Sequence, residues 1–178
     1  VMLLVQDGKL KLSDRLGTLL PRFARTDLKD ITVQQLLLHE AGLRPSINFY
    51  ESLIDSSSLD GKLLSPRRSS GWVRVDTNMW GNPFFGFRSD LVSGQFRPDY
   101  PFRFSSNLYL AKEVKEIVLN TIASTPRNGV GRYKYSDLGF ILLQQIVEKV
   151  SGKSLNVFVE ERIFRPIGAG SLGYLPLD

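Results

Sequence analysis

The sequence predicts a mainly α-helical fold that carries one long irregular segment, and three observations support this. Apolar residues recur at helical spacing in two stretches, 111–123 and 137–150. A third stretch, 32–39, opens with the Thr-x-x-Gln pattern that is typical of a capped helix start. Between about 44 and 110, by contrast, clusters of Pro, Gly, Ser and aromatic residues predict loops and short extended pieces.

The composition excludes several classes of chemistry. The chain has 178 residues, which is long enough for one domain or one lobe of a larger domain, and 42% of them are hydrophobic, which is enough for a core. It contains no Cys and one His, which excludes disulfide bonds, Cys-ligated zinc, iron–sulfur clusters and a thiol nucleophile. We therefore predict neither a cofactor nor a metal site. The longest apolar run, 1–5, is far too short to span a membrane.

The N-terminal part of the chain gives three predictions. Residues 1–5 resemble the last turns of an apolar helix that Gly8 ends, and no capping residue precedes them. Because the first N–H groups of a helix need partners, we expect the chain to be a piece of a longer protein. Residues 9–23, with alternating apolar and polar residues, are predicted to be a connector ended by Pro21.

The following helix contains the chain's single histidine. Thr32 and Gln35 form a capping-box pattern ahead of three leucines. His39 is then predicted to lie in the last turn, and Gly42 suits the left-handed residue after it. We assign His39 a structural role, a hydrogen bond that locks the turn before Gly42, because no catalytic partner is evident.

Three further helix boundaries are predicted in the C-terminal half. Pro126 ends the helix over 111–123, and Gly152 ends the helix over 137–150 as a left-handed cap. Ser154 can cap another helix that runs to about Arg162.

Tyr135 lies just ahead of the helix over 137–150, and Ser136 can cap that helix. Free N–H groups and the helix dipole favour negative charge at this position, so the phenol could accept a proton if a cation also lowered its pKa. Alternatively, a tyrosine that precedes a helix is commonly buried in the hydrophobic core, where it has only a packing role. The residues by themselves leave both interpretations open.

A basic, aromatic stretch covers residues 62–104. It has seven basic residues against three acidic ones, with nine aromatic residues interleaved. Such a pattern could follow a nucleic-acid strand. Since no recognised nucleic-acid motif accompanies it, we interpret it as a surface excursion with solvated arginines and predict no nucleic-acid partner.

Two blocks of sequence resemble one known family. They comprise 6–14, 20–21 and 31–43 upstream, and Tyr135-Ser136-Asp137-Leu-Gly, Leu142, 146–148, Gly152 and 163–168 downstream. In this order they resemble the serine β-lactamase and penicillin-binding-protein-like hydrolases, in the class C and esterase branch. The resemblance implies that the chain is the helical lobe of the α+β β-lactamase/transpeptidase fold. It also implies a single partial domain, 1–178, with an insertion at about 44–110.

The resemblance further implies a mechanism and its residues. In that family the Ser of an S-x-x-K motif attacks a carbonyl, while its Lys and a motif Tyr move the proton. Here no Lys has Ser three positions before it, and neither K-[ST]-G nor H-x-G occurs, so we expect those motifs outside this chain. Tyr135 would be the proton shuttle and Asp137 its orienting neighbour, with Ser136, His39 and Gly42 as structural residues near the site; substrate-binding residues are not identified.

Asp137 departs from the Asn that is usual at this place in the family. An ionised carboxylate only accepts hydrogen bonds, whereas an amide also donates. This difference puts recognition of β-lactams or peptides in doubt and leaves esters or other acyl substrates open.

Two functions are therefore expected as alternatives. The first is a fragment of a β-lactamase-related serine acyl hydrolase, inactive by itself, whose longer parent acts on a small acyl, peptide or peptidoglycan-like substrate. The second is a non-catalytic cell-envelope binding module derived from that family. The resemblance implies the periplasm or envelope of a bacterium, and apolar surface left by missing parts favours a homo-oligomer.

Overall fold

The computed structural model describes residues 1–174, which form two compact units. One unit combines residues 1–47 with the chain from Leu119 onward, and the other is Asn48–Val118. The α-helices are α1 Met2–Gln6, α2 Leu16–Leu19, α3 Val33–Leu37, α4 Glu113–Ala123, α5 Asp137–Ser151 and α6 Leu155–Val159. Short 3₁₀-helices cover Pro21–Phe23 and Phe49–Leu53, and a π-helix, Glu160–Phe164, continues α6.

The first unit is built around the apolar face of α5. Leu138, Leu142 and Ile146 on that face have no exposed surface. They belong to a core that also contains Leu16, Phe23, Leu28, Ile31 and Leu36, all at 2% exposure or less. Gly152 ends α5 with a φ of 70°, a left-handed conformation that glycine adopts without steric cost. Burial of this face fixes the position of the N-terminus of α5.

Side-chain hydrogen bonds fix the ends of two of this unit's shorter helices. Thr32 accepts the Gln35 N–H through its hydroxyl, and the Gln35 side chain accepts the Thr32 N–H, both at 3.1 Å. This is the predicted capping box. At the C-terminal end of α1, both guanidinium N–H₂ groups of Arg162 donate to the Asp7 carboxylate, at 2.8 and 3.0 Å. This pair joins the end of α1 to the π-helix.

The second unit contains eight short strands in three antiparallel sheets. The strands are β1 Ile54–Asp55, β2 Leu64–Ser65, β3 Val73–Asp76, β4 Met79–Gly81, β5 Gly86–Phe87, β6 Val92–Ser93, β7 Phe102–Ser105 and β8 Leu108–Leu110. The sheet orders are β1-β5, β2-β4-β3 and β6-β8-β7. A small core formed by Leu53, Leu91, Val92, Tyr100, Ala111 and Val114 holds the unit together.

The prediction of a mainly α-helical fold is wrong, because the chain is 33% helical and 15% strand, a mixed α/β composition. The strands fall within the predicted irregular segment and are two to four residues long. Six of the eight strands are two or three residues long, too short to show the apolar–polar alternation from which strands are recognised. β3 and β7 do alternate, as Val-Arg-Val-Asp and Phe-Arg-Phe-Ser, but over four residues only, and all four residues of β3 are exposed.

Two smaller predictions also differ from the structure. The connector predicted for 9–23 contains α2 and a 3₁₀-helix, because Pro21 starts that helix instead of ending the segment. The helix expected to include His39 ends at Leu37. The helices predicted over 111–123 and 137–150 are confirmed to within two residues at each end. That the chain is one partial domain stays a prediction.

Candidate functional site

The site forms where two segments far apart in sequence, 39–45 and 127–137, run alongside each other. Backbone N–H groups of Lys134, Gly131 and Asn128 donate to carbonyl oxygens of His39, Glu40 and Gly42, at 2.8–2.9 Å. The Arg127 guanidinium donates to the Ala41 carbonyl at 2.9 Å. These bonds hold the loop that precedes α5, and with it the predicted tyrosine motif. All of these residues belong to the first unit.

Ser136 fixes the last residues before α5. Its side chain was predicted to cap the helix, and it does occupy the N-cap position, but its hydroxyl makes no capping bond. It donates instead to the Arg44 carbonyl at 2.6 Å, and the next N–H, of Asp137, donates to the Pro45 carbonyl at 2.9 Å. With only 3% of its surface exposed, Ser136 ties the helix start to the 39–45 segment.

Tyr135 keeps half of its surface, 51%, exposed at the start of α5. It is therefore not a core plug, the alternative that the sequence left open. Its hydrogen bond to Asp137 is the main reason that its pKa is raised above the ordinary value, and the negative charge of that carboxylate adds to the effect. The sequence suggested an environment that favours the phenolate; the described surroundings favour the neutral phenol.

Asp137 is the first residue of α5, where a carboxylate interacts favourably with the helix dipole. The structure therefore brings the two predicted catalytic residues together, Tyr135 and Asp137, as a hydrogen-bonded pair. In this pair the ionised carboxylate accepts and the phenol donates.

His39 lies at the centre of an aromatic cluster that the sequence did not reveal. Its ring centroid is 4.7 Å from that of Tyr135, 5.4 Å from Phe140 and 5.9 Å from Tyr133. Its Nδ1 accepts the Ser136 N–H at 3.3 Å. Sequence reasoning found no partner for His39 because the partner lies nearly one hundred residues later. The one feature of the sequence that could have indicated this contact is that the two blocks that resemble the family lie on either side of the predicted insertion.

Gly42 allows the two segments to approach closely. Its φ is 72°, and a Cβ placed there would lie 3.0 Å from both the Asn128 carbonyl oxygen and a methyl group of Val130. The predicted structural residue thus occupies a position where both the backbone conformation and the available space favour glycine.

The described residues hold neither a cluster of metal-ligating side chains nor a helix that could span a membrane. Residues 1–174 contain no cluster of three or more His, Asp or Glu side chains arranged to bind a metal ion. Within the same residues, none of the helices combines the length and apolar character that crossing a membrane requires.

Parts of this chain are similar in sequence to curated proteins, and its fold is similar to solved structures. An N-acetylmuramyl-L-alanine amidase of Bacillus subtilis is 41% identical over 47 residues, which are 26% of this chain and 11% of the amidase. An Escherichia coli K12 protein provisionally named D-alanyl-D-alanine carboxypeptidase is 36% identical over 95 residues, 50% of this chain and 22% of that protein. The chain thus spans about a fifth or less of the length of these curated relatives.

Among solved structures, the octameric penicillin-binding protein homologue of Pyrococcus abyssi matches 94% of this chain and 28% of its own, with a TM-score of 0.51 and 21% identity. A protein of Bacteroides dorei provisionally named β-lactamase matches 90% of this chain and 32% of its own, with a TM-score of 0.50 and 17% identity. These two likenesses support the β-lactamase-like fold.

The β-lactamase family model matches residues 1–60 and 88–175. The matched ranges include both segments of the site and leave out 61–87, which lies within the predicted insertion. Since the match covers well over half of the chain, this protein belongs to the β-lactamase family of serine hydrolases and penicillin-binding-protein-like enzymes.

Proposed function

We propose that this chain supplies the tyrosine motif of a serine acyl hydrolase that works through an acyl-enzyme. The observation that carries the proposal is the Tyr135–Asp137 pair, half-exposed at the N-terminus of α5 and held by a hydrogen-bonded loop. A phenol in this setting is fixed in orientation yet accessible to a reacting group, as proton transfer requires.

The nucleophile and its lysine are proposed to come from sequence outside these 178 residues. No Lys in the chain has Ser three positions earlier. Because Asp137 raises the pKa of Tyr135, this phenol would become a proton acceptor only when a cation offsets the carboxylate. The lysine of the absent motif is the group that would provide that charge. The chain by itself is therefore proposed to be inactive.

The substrate is proposed to be an ester or a related acyl compound. The carboxylate of Asp137 cannot donate a hydrogen bond to a substrate amide carbonyl, unlike the Asn side chain that the family resemblance implies at this place. Relatives are named for amidase and carboxypeptidase activities, so peptide and peptidoglycan-like substrates are the alternatives to test.

Labelling and mutagenesis test this proposal. A fluorescent penicillin and an acyl fluorophosphonate should both leave the 178-residue chain unlabelled, and the fluorophosphonate should label one Ser after upstream sequence bearing S-x-x-K is restored. In that longer chain, Tyr135→Phe should lower the rate roughly 10²–10⁴-fold. The matched control is Tyr133→Phe, which removes the hydroxyl of a neighbouring, 72% exposed tyrosine. Stoichiometric labelling of the short chain, or equal rates for both variants, would refute the assignment.

Exposed aromatic residues in the second unit favour a second candidate, a non-catalytic envelope binding module. Phe84 and Phe96 are 65% and 63% exposed, and the Arg68 guanidinium lies 5.2 Å from the ring centre of Trp80. Absence of S-x-x-K from the upstream sequence would favour this candidate. Co-sedimentation with peptidoglycan, lost in Phe84→Ser and kept in Tyr133→Ser, would then test it.

We also propose an envelope location and self-association for this chain. The location rests on relatives named for cell-wall chemistry. Self-association rests on the exposed apolar residues and on the octameric state named for the Pyrococcus homologue. Light scattering should show a dimer or larger species at high concentration, and a monomer throughout would exclude it.

A further inference from the structure

We infer that His39 is the positioning residue for Tyr135, holding the backbone N–H groups of the residues on either side of the tyrosine and releasing one of them when its imidazole is protonated. The catalytic consequence of this inference rests on the proposed function above. The contacts themselves do not, and they can be tested without any activity.

Three contacts carry the inference. The Lys134 N–H, on one side of Tyr135, donates to the His39 carbonyl oxygen at 2.8 Å. The Ser136 N–H, on the other side, donates to the His39 Nδ1 at 3.3 Å. The imidazole also packs against the Tyr135 ring, with centroids 4.7 Å apart and planes inclined by 41°. One residue thus fixes the backbone before and after the tyrosine and one face of its ring.

The backbone of His39 is consistent with a functional position. Its φ of 56° makes it the one non-glycine residue with positive φ in the described part of the chain. Such a conformation costs energy, and residues that retain it are concentrated at functional sites. Here it gives one residue two bonds to the tyrosine loop, one from its carbonyl oxygen and one from its ring nitrogen.

Protonation of the imidazole changes one of these bonds. A neutral imidazole that accepts at Nδ1 carries its proton on Nε2, whereas the imidazolium has N–H at both positions. The Ser136 N–H would then face a second donor and lose its partner. The titratable side chains in ring contact with the imidazole are the phenols of Tyr133 and Tyr135, and Lys134 lines the same small cavity as His39. Asp137 acts through its bond to Tyr135.

NMR of the 178-residue chain tests the contact directly, because the chain has a single His. A long-range ¹H–¹⁵N spectrum at neutral pH should show the Nε2–H form, with Nδ1 unprotonated. When acid protonates the imidazole, the Ser136 amide resonance should shift together with the resonances of the His39 ring. The control is the backbone amide of Gln35, which donates to the Thr32 hydroxyl and should not shift with the imidazole. An Nδ1–H form, or a Ser136 amide that ignores the imidazole, would overturn the inference.

Two substitutions separate the acceptor from the ring. His39→Asn keeps an acceptor near the Nδ1 position, tolerates positive φ and cannot titrate. His39→Phe keeps an aromatic ring and removes the acceptor. In the longer, serine-containing chain, His39→Phe should lower kcat roughly 10²-fold with KM unchanged, the scale of a misplaced catalytic group. His39→Asn should restore kcat to within about tenfold of the parent. It should also abolish the activity loss that accompanies protonation of the imidazole in the parent.

The outcomes are distinguishable from failure of the proposed function. If the longer chain has no activity, the proposed function fails, while the NMR result still decides whether His39 holds the loop. If His39→Phe does not fold, the pH profile of His39→Asn decides: a flat acid limb supports the inference. An acid limb identical to that of the parent overturns it.

Discussion

The close approach at Gly42 allows a prediction with a built-in control. Gly42→Ala places a methyl group in a left-handed conformation, which costs roughly 1–2 kcal/mol for an L-residue. That methyl group would also lie 3.0 Å from the Asn128 carbonyl oxygen. This oxygen cannot move freely, because the N–H of the same residue donates to the Gly42 carbonyl at 2.8 Å. Overpacking of this kind adds roughly 1–3 kcal/mol.

Gly129→Ala carries the backbone cost without the close contact, so the difference between the two variants isolates the cost of that contact. Gly129 has a φ of 71°, nearly that of Gly42, and a Cβ there would meet nothing within 4 Å. We expect Gly129→Ala to lower the free energy of unfolding by about 1–2 kcal/mol and Gly42→Ala by about 2–5 kcal/mol. For a chain of this size the difference corresponds to several degrees in Tm, at about 2–4 °C per kcal/mol.

Urea unfolding followed by circular dichroism measures both free energies, with the slope m as a check that the unfolded states are comparable. Equal losses for the two variants would show that the segments 39–45 and 127–137 are not in close contact at Gly42. The pairing that holds the tyrosine motif would then be in doubt.

Three further predictions concern stability and ionisation. Ile146→Ala, in the core, should cost about 2–5 kcal/mol, while Ile167→Ala, 68% exposed, should stay within about 0.5 kcal/mol; similar values in urea unfolding would contradict the assigned core. Thr32→Ala should cost about 1 kcal/mol through loss of the capping box, and no change would mean that the cap is not formed in solution. Asp137→Asn should lower the pKa of Tyr135 toward its ordinary value, seen in the ¹³Cζ titration of the ring. In the parent the Asp137 bond stabilises the fold below the ordinary tyrosine pKa and is lost as the pH rises through the raised pKa, so an unchanged titration would argue against the pair.

Local signals predicted the helical part of the fold. The capping box at Thr32 and the left-handed cap at Gly152 depend on residues within one turn of the helix end. The buried face of α5 follows from spacing within the helix itself. Predictions of this kind need no knowledge of where the rest of the chain lies.

The sheets and the centre of the site depend on distant partners. β1 pairs with β5 across more than thirty residues, and each of these strands is two residues long. Such pairing has no local pattern. The contact of His39 with Tyr135 joins segments on either side of the insertion, and the left-handed backbone at His39 places it outside the helix to which sequence periodicity had assigned it.

The pKa of Tyr135 can report whether the lysine of the proposed S-x-x-K motif reaches the tyrosine. In these surroundings the Asp137 carboxylate favours the neutral phenol, which is unsuited to accepting a proton. Adding the S-x-x-K segment would bring an ammonium group toward this pair, and an opposite charge lowers the pKa of a phenol. We therefore expect the ¹³Cζ titration of Tyr135 to move to lower pH in the longer chain than in the 178-residue chain. Lys→Met in the added motif is the control and should reverse the shift. An equal pKa in both chains would mean that the lysine does not reach Tyr135, and the proposed proton shuttle would then lack the cation that it requires.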